Sequence, residues 1–339
     1  MQLLQFAIIG CGKAAAIHAA QIKQYGQLVA VCDIDDEKGE LFAQLHGAHF
    51  YQLANELFKN EKGIDVVVIC SPNGLHASHA IAAMNAGFHV LVEKPMAIHL
   101  EDANRMIEVA TLNQRNLFTV MQNRFNPPVQ AVKQLLDLQQ LGTIYSVQLN
   151  CFWNRNAAYY ADEWHGTKTF DGGILFTQFS HFIDILIWFF GMPKKLTATL
   201  NNLAHQSTIE GEDQGVVIFE WANGSIGTMH YSVNAYEKNR EGSLTILGEK
   251  GIVKIGGAYL NEIEFGDVEG LKLPEGFVKK ITVEEANDYG TYQGSMRNHH
   301  YVYESMVNTL KHGKPYYTTV SEAAATIQVI QEIMQYQKK

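Results

Sequence analysis

No stretch of this chain approaches the ~20 consecutive apolar residues that a helix needs to cross a bilayer. Residues 1–10 are apolar but lack a basic flank and a cleavage site, which argues against an export signal. Basic residues are outnumbered: 26 Lys and Arg against 35 Asp and Glu leave a formal net charge of −9. With no basic run, nucleic acid is not an expected partner, nor is a membrane. Cysteine is sparse. The four present, Cys11, Cys32, Cys70 and Cys151, are far apart, and no pair has the spacing of a metal-ligand set or a redox couple. They are expected to be buried, reduced thiols of a cytoplasmic protein. Repeats, low-complexity segments and obvious flexible linkers are also missing. What remains is a 339-residue chain that is 47% hydrophobic and 18% charged. That is enough for two packed cores at roughly 150 residues per domain.

The most informative segment present is Phe6-Ala-Ile-Ile-Gly10-Cys-Gly12-Lys13-Ala14-Ala15. It reads as a buried strand, a glycine turn and the start of a helix. Gly10 permits the tight turn, Gly12 has no Cβ to hold off a pyrophosphate, and the small Ala15 allows close helix–strand packing. The free N–H groups of the helix then face the phosphates. A second apolar run, Leu28-Val-Ala-Val-Cys32, ends in Asp33 and Asp35, near the ~20-residue interval of a ribose-binding acid. A carboxylate at Asp33 accepts from a 2′-hydroxyl and repels a 2′-phosphate, so NAD is expected over NADP.

Short apolar runs at 5–9, 28–32, 66–70, 89–92 and 117–120 alternate with helical patterns beginning near residues 14, 36, 53, 76 and 100. This predicts parallel βαβ units and right-handed crossovers. After about residue 125 the character changes. A helix over 129–138 leads into a long strand at 144–153, and a helical region follows the Gly172-Gly173 pair. Strands at 195–201, 214–220, 225–233, 242–247 and 251–255 then suggest an antiparallel meander. Helices over 296–311 and 321–337 close the chain, Ser321 serving as N-cap. The expected fold class is α/β: a Rossmann dinucleotide-binding domain over 1–121, then an α/β domain over 122–339 with a large open, mostly antiparallel sheet. The last helix is free to pack back on the first domain. Apolar residues on both sheet faces suggest subunit association, as a tetramer or dimer.

Two segments carry chemistry. Glu93-Lys94-Pro95 follows a buried strand, and ligands of open α/β sheets collect outside strand carboxyl ends. Pro95 fixes φ, and the Lys94–Pro95 bond is open to the cis form; either aims the ammonium rigidly. A solvated surface lysine is the alternative. In Thr177-Gln178-Phe-Ser-His181-Phe-Ile-Asp184, helical spacing places Thr177, Gln178 and His181 on one face. A histidine titrating near neutrality suits removal of a hydroxyl proton; a core histidine satisfied by Asp184 is the competing reading. His76 and His79 have the i, i+3 spacing of a metal pair, but no further ligands accompany them, and no metal is expected.

Taken in order, Gly10-x-Gly12-x-x-Ala15, Cys70-Ser71-Pro72-Asn73-x-x-His76, Glu93-Lys94-Pro95, Arg124-Phe-Asn126-Pro and Gly172-Gly173…His181 resemble the glucose-fructose oxidoreductase / inositol dehydrogenase / MocA (Gfo/Idh/MocA) family over essentially the whole chain. The resemblance implies an NAD-dependent oxidoreductase acting on CH–OH groups, with Lys94 and His181 catalytic. Lys94 would hydrogen-bond the reacting hydroxyl, and His181 would act as general base. Ser71, Pro72, Asn73, His76, Glu93, Lys94 and Gln122 would lie beside the cofactor, along with Gly10, Gly12, Lys13, Ala14, Ala15 and Asp33. Where the family often has an aspartate four residues before the histidine, this chain has Thr177, which is assigned to substrate binding.

Within the family, Asn154-Arg155-Asn156-Ala-Ala-Tyr159-Tyr160, Trp164-His165-Gly-Thr, Thr177-Gln178 and Gly294-Ser295-x-x-Asn298-His299 are similar to the WlbA/WbpB-type 3-dehydrogenases of UDP-N-acetyl-2-amino-2-deoxyglucuronate. That likeness implies oxidation of the sugar C3 hydroxyl to a ketone in nucleotide-sugar and surface polysaccharide (lipopolysaccharide O-antigen) biosynthesis, and raises 2-oxoglutarate as a candidate recycler of the cofactor. Arg124, Arg155 and Arg297 are candidates for the diphosphate and carboxylate. Asn156, Tyr159, Tyr160, Thr177, Gln178, Ser295, Asn298 and His299 join Lys94 and His181 as candidate substrate contacts. The alternatives are an NAD-dependent dehydrogenase of free sugars or inositols, and a non-catalytic NAD-sensing regulator.

Overall fold

The computed structural model describes residues 3–271, 286–288 and 293–337. The chain divides into two compact units. One combines Met1–Met121 with His299–Ile327, and the other combines Gln122–Asn298 with Gln328–Lys339.

In the first unit, strands β1 (Leu4–Ile9), β2 (Gly26–Cys32), β3 (His49–Tyr51), β4 (Val66–Ile69), β5 (His89–Val92) and β6 (Leu117–Thr119) alternate with helices α1 (Lys13–Tyr25), α2 (Asp36–His46), α3 (Ala54–Asn60), α4 (His76–Asn85) and α5 (Leu100–Leu112). The strands are parallel, in the order β3-β2-β1-β4-β5-β6. That is the doubly wound order, with its switch point between β1 and β4. Every residue of β4, Val66-Val-Val-Ile69, is fully buried, as a strand covered on both faces by helices must be. Edge strand β3 is only three residues long and was not anticipated.

Later in the chain come α6 (Pro127–Asp137), β7 (Ile144–Phe152), α7 (Ile174–Thr177), α8 (Ser180–Phe190), strands β8 (Lys195–Asn201), β9 (Gln214–Glu220), β10 (Ile226–Ser232), β11 (Glu241–Gly248), β12 (Gly251–Gly256), β13 (Glu262–Val268), β14 (Ala286–Asp288) and β15 (Gln293–Met296), and helices α9 (His299–His312) and α10 (Val320–Met334). Helix α9 belongs to the first unit. Its buried stripe His299, Val302, Tyr303, Met306 has the same i, i+3, i+4, i+7 spacing as Ala15, His18, Ala19, Ile22 on α1. Tyr25 stacks on Tyr303 with ring centroids 5.9 Å apart, and its hydroxyl donates to the His300 carbonyl.

The second unit is built on a seven-stranded sheet, β13-β12-β11-β7-β10-β9-β8. It departs from a simple meander in one respect: β7 sits in the middle, parallel to β10 and antiparallel to β11. The reason is the long connection through α8, which lets the chain re-enter at β8 on the far edge; β9 and β10 then fold back to reach β7. Residues 180–187 of α8 are all buried. Trp153 at the end of β7 packs on Phe179 and Phe182 at 5.5 and 5.6 Å. On the sheet's outer side Val216, Ile218 and Ile226 are exposed.

Candidate active-site residues in the two units

The glycine turn in the first unit is dictated by sterics. Gly10 has φ +89°, and a Cβ there would lie 2.6 Å from the backbone of Cys70 and Ser71, so no other residue fits without displacing main chain. Over Gly12 the reverse holds: an added Cβ would meet nothing within 4 Å. That open space adjoins the start of α1, whose N-cap is Gly12 and has no side-chain cap. The turn therefore presents helix N–H groups and room for a diphosphate. Asp33, at the end of β2, is nearly buried. Its Oδ2 accepts from the Cys11 N–H at 2.7 Å and its Oδ1 from the Asp35 N–H at 3.0 Å. Lys38 pairs with Oδ2 at 3.2 Å, so a cation stands beside this carboxylate. Lys13 is exposed at the turn, Ala14 half-buried and Ala15 buried. These features fit a bound dinucleotide. Cys11, Cys32 and Cys70 are free thiols here, and burial pushes the first two up to about 12, so they stay protonated.

The turns after β4 and β5 are tied together by His76. Its Nδ1 is 2.7 Å from the Pro95 carbonyl and its Nε2 2.8 Å from the Ser71 carbonyl. Both ring nitrogens face main-chain carbonyls, and the neutral ring can donate to one of them, so this histidine sits between the turns that flank Pro72, Asn73 and Lys94. Burial pulls its pKa down against the pull of those carbonyls. The Lys94–Pro95 bond is cis. Glu93 is directed into the unit, toward His18 and His299. His18 was missed in the sequence; the only signal for it was one histidine within an otherwise apolar helical stripe.

In the second unit the helix expected across Thr177 to Asp184 is broken. Helix α7 ends at Thr177 and α8 begins at Ser180. The Phe179 N–H reaches back to the Ile174 carbonyl and the Phe182 N–H to the Phe179 carbonyl, an i+5 closure followed by a tight i+3 turn. Thr177 and His181 thus lie on different helices. The Thr177 hydroxyl donates to the carboxylate of Asp171, which is fully buried and also accepts from the Gly166 N–H at 2.7 Å. Gln178 donates to the Tyr159 hydroxyl at 2.8 Å, and Tyr159 and Tyr160 meet edge to face at 4.9 Å. His181 is buried.

Asp184, the residue on which the core-histidine reading relied, is engaged by an arginine. It takes Arg124 in a two-point ion pair, and Arg124 is 1% exposed, inside the unit rather than presented to a ligand. Arg155 is likewise buried, over the rings of Trp153 and Tyr159, and donates to Asn154 and Asn239. Asn156 and Arg297 are exposed. Gln122 donates to the Ser295 hydroxyl at 2.8 Å, and Asn298 to the Asn126 side chain at 2.7 Å, so three expected ligand contacts are tied to protein partners. Glu212 was not anticipated. It is fully buried, and burial, reinforced by Asp171 and Asp213, pushes its carboxyl up to about 8.

No helix among the described residues is long and apolar enough to cross a membrane. Comparison with known proteins agrees with the geometry. Residues 4–121 match the family model "Oxidoreductase family, NAD-binding Rossmann fold" of GFO_IDH_MocA, and residues 129–254 match the GFO/IDH/MocA C-terminal domain. The solved WlbA dehydrogenase of Bordetella pertussis, in complex with NADH and UDP-GlcNAcA, superimposes with a TM-score of 0.91 at 32% identity, over 99% of this chain and 95% of that one. WlbA of Chromobacterium violaceum, with the same two ligands, gives 0.88 at 33% identity over 99% and 94%. A curated relative, the scyllo-inositol 2-dehydrogenase (NADP(+)) IolU of Bacillus subtilis, is 27% identical over 91% of this chain and 94% of its own. The chain belongs to the Gfo/Idh/MocA family of oxidoreductases, and the first unit is its NAD-binding Rossmann domain.

Proposed function

We propose that this enzyme oxidises the C3 hydroxyl of UDP-N-acetylglucosaminuronic acid to the 3-keto sugar. The observation that carries the reading is the near full-length likeness, at 32–33% identity, to two dehydrogenases solved with NADH and UDP-GlcNAcA. In this reading NAD+ supplies the hydride acceptor. Lys94, which follows β5, donates to the substrate oxygen and stabilises the developing alkoxide. His181 accepts the hydroxyl proton as C3 is oxidised. Thr177 offers a hydroxyl held by Asp171, and the buried Tyr159 and Tyr160 pack behind it, Tyr159 accepting from Gln178. The carboxylate of Asp33 favours NAD+ over NADP+.

A second reading, oxidation of a free inositol, is favoured by the IolU relative. Reduction of NAD+ with UDP-GlcNAcA, scyllo-inositol and glucose, run in parallel, separates the two. Turnover of the free polyols alone rejects the nucleotide-sugar substrate. Freshly purified protein carrying NADH that 2-oxoglutarate oxidises would add cofactor recycling. The exposed Val216, Ile218 and Ile226 of the outer sheet face support self-association, which light scattering measures directly.

A further inference from the structure

The first unit buries three ionisable side chains that the hydride-transfer chemistry above does not use. Glu93 lies at the end of β5, His18 on α1 and His299 at the start of α9. Glu93 Oε1 accepts from His18 Nε2 at 2.9 Å and faces His299 Nε2 at 3.5 Å. Glu93 Oε2 accepts the N–H of Lys94 at 3.0 Å. The hydroxyl of Tyr303 is 2.9 Å from His18 Nδ1. With His18 Nε2–H committed to the carboxylate, Nδ1 is left as acceptor and the tyrosine donates; the tautomer follows from its partners. The two imidazoles meet edge-on at 5.5 Å.

Two histidines and a glutamate have the composition of a metal site, and their ligand atoms lie within 4.8 Å of one another. The spacing favours hydrogen bonding. Two ligands of a tetrahedral zinc with bonds of ~2.0–2.1 Å stand about 3.3 Å apart. The His18–Glu93 separation of 2.9 Å is instead that of a charge-assisted hydrogen bond.

Burial by itself would raise the Glu93 carboxyl. The hydrogen bonds from His18 and His299 outweigh it and hold the group well below the ordinary carboxylate range. The other titratable groups facing it are Cys70, Tyr303 and Tyr316, each kept neutral because burial pushes its pKa up, together with His76 and Lys94. A fixed carboxylate therefore grips the main chain at Lys94 N–H. One residue on, the Pro95 carbonyl packs against His76 Nδ1 at 2.7 Å. The lysine side chain leaves the backbone from a point held on both sides.

We propose that Tyr303, His18 and His299 are positioning residues for Lys94, acting through the Glu93 carboxylate. The proposal rests on the reading above in which Lys94 touches the reacting hydroxyl. It also gives α9 a purpose: the helix returns to the Rossmann unit carrying two of the four groups.

Tyr303→Phe and His299→Asn in the full chain test it, with Glu93→Gln as a variant that removes the charge at constant shape. Four quantities are read: the Kd for NAD+, kcat and KM with UDP-GlcNAcA, and the pH midpoint for acylation of the Lys94 amine by acetic anhydride, followed by mass spectrometry. The expected result is a kcat lowered ~10–100-fold, the cost of a small misplacement. KM and the NAD+ Kd should stay within about threefold of wild type. The Lys94 midpoint should move by at least about half a pH unit. A fall in kcat matched by an equal loss of NAD+ affinity overturns the proposal, as does a wild-type kcat and midpoint in Tyr303→Phe and His299→Asn. Acylation needs no turnover. If wild type proves inactive on UDP-GlcNAcA, the substrate reading fails by itself, and the midpoints alone decide the positioning role.

Discussion

Asp184 holds Arg124 at two points, Oδ2 accepting from Nε at 2.9 Å and Oδ1 from Nη2 at 2.7 Å, with both side chains almost fully withdrawn from solvent. The guanidinium also lies 5.0 Å from the ring centre of Trp188. This is an internal brace between residues 60 positions apart.

Removing one side of a buried pair strands the other charge, at a cost of ~3–5 kcal/mol. Asp184→Ala is therefore expected to lower the Tm by about 10 °C. A variant melting within a couple of degrees of wild type would show that the pair contributes little to stability.

The chemical assignment makes a sharper demand. Lys94→Ala and His181→Asn should each lose ~10²–10⁴-fold in turnover while keeping NAD+ binding. Stopped-flow reduction of NAD+ beside a fluorescence titration of the dinucleotide measures both. Unaltered turnover in either variant would remove that residue from the mechanism.

Cofactor choice rests on Asp33 with Lys38 at its side. Asp33→Ser deletes the repulsion of a 2′-phosphate and leaves the lysine free to meet it. The ratio of NADP+ to NAD+ affinity should rise about tenfold or more, near 1.4 kcal/mol. An unchanged ratio would place the discrimination elsewhere.

Glu212 predicts a pH effect whose sign can be worked out. Its carboxyl sits at about 8 in the folded chain, above the 4.5 of an exposed one. Between those values the folded form keeps a proton that the unfolded form has lost. The stability this contributes is complete below the lower value and declines as pH rises toward the upper, by at most ~1.4 kcal/mol per unit. Glu212→Gln should flatten the fall of Tm between about pH 5 and 8 and melt higher than wild type at the alkaline end. Parallel curves for the two proteins would contradict a neutral Glu212.

Some of this was legible in the residues alone because the physics is local. A strand buried on both faces must be a continuous apolar run, and Val66-Val-Val-Ile69 is one. A turn that excludes every Cβ must contain glycine, and Gly10 does. What escaped notice is non-local or unmarked. His49-Phe-Tyr51 is too short to show a period. The parallel pairing of β7 with β10 joins residues about 80 positions apart and leaves no trace in either strand. The helix break at Gln178-Phe179 has no glycine or proline to announce it. Arg124 resembled a ligand-binding arginine until Asp184 appeared beside it. The hydroxyl of Thr177, expected to bind substrate, donates to a carboxylate six residues earlier, that of Asp171.

Tyr303 and His299 reach Glu93 and His18 across more than two hundred positions of chain, and this bears on how the enzyme is made. As the ribosome delivers the polypeptide from its amino end, the sheet around the glycine turn can assemble early, but its buried glutamate waits for α9, which follows it by about two hundred residues. The nascent Rossmann half must endure that interval with one flank uncovered, where a chaperone or a protease would find it.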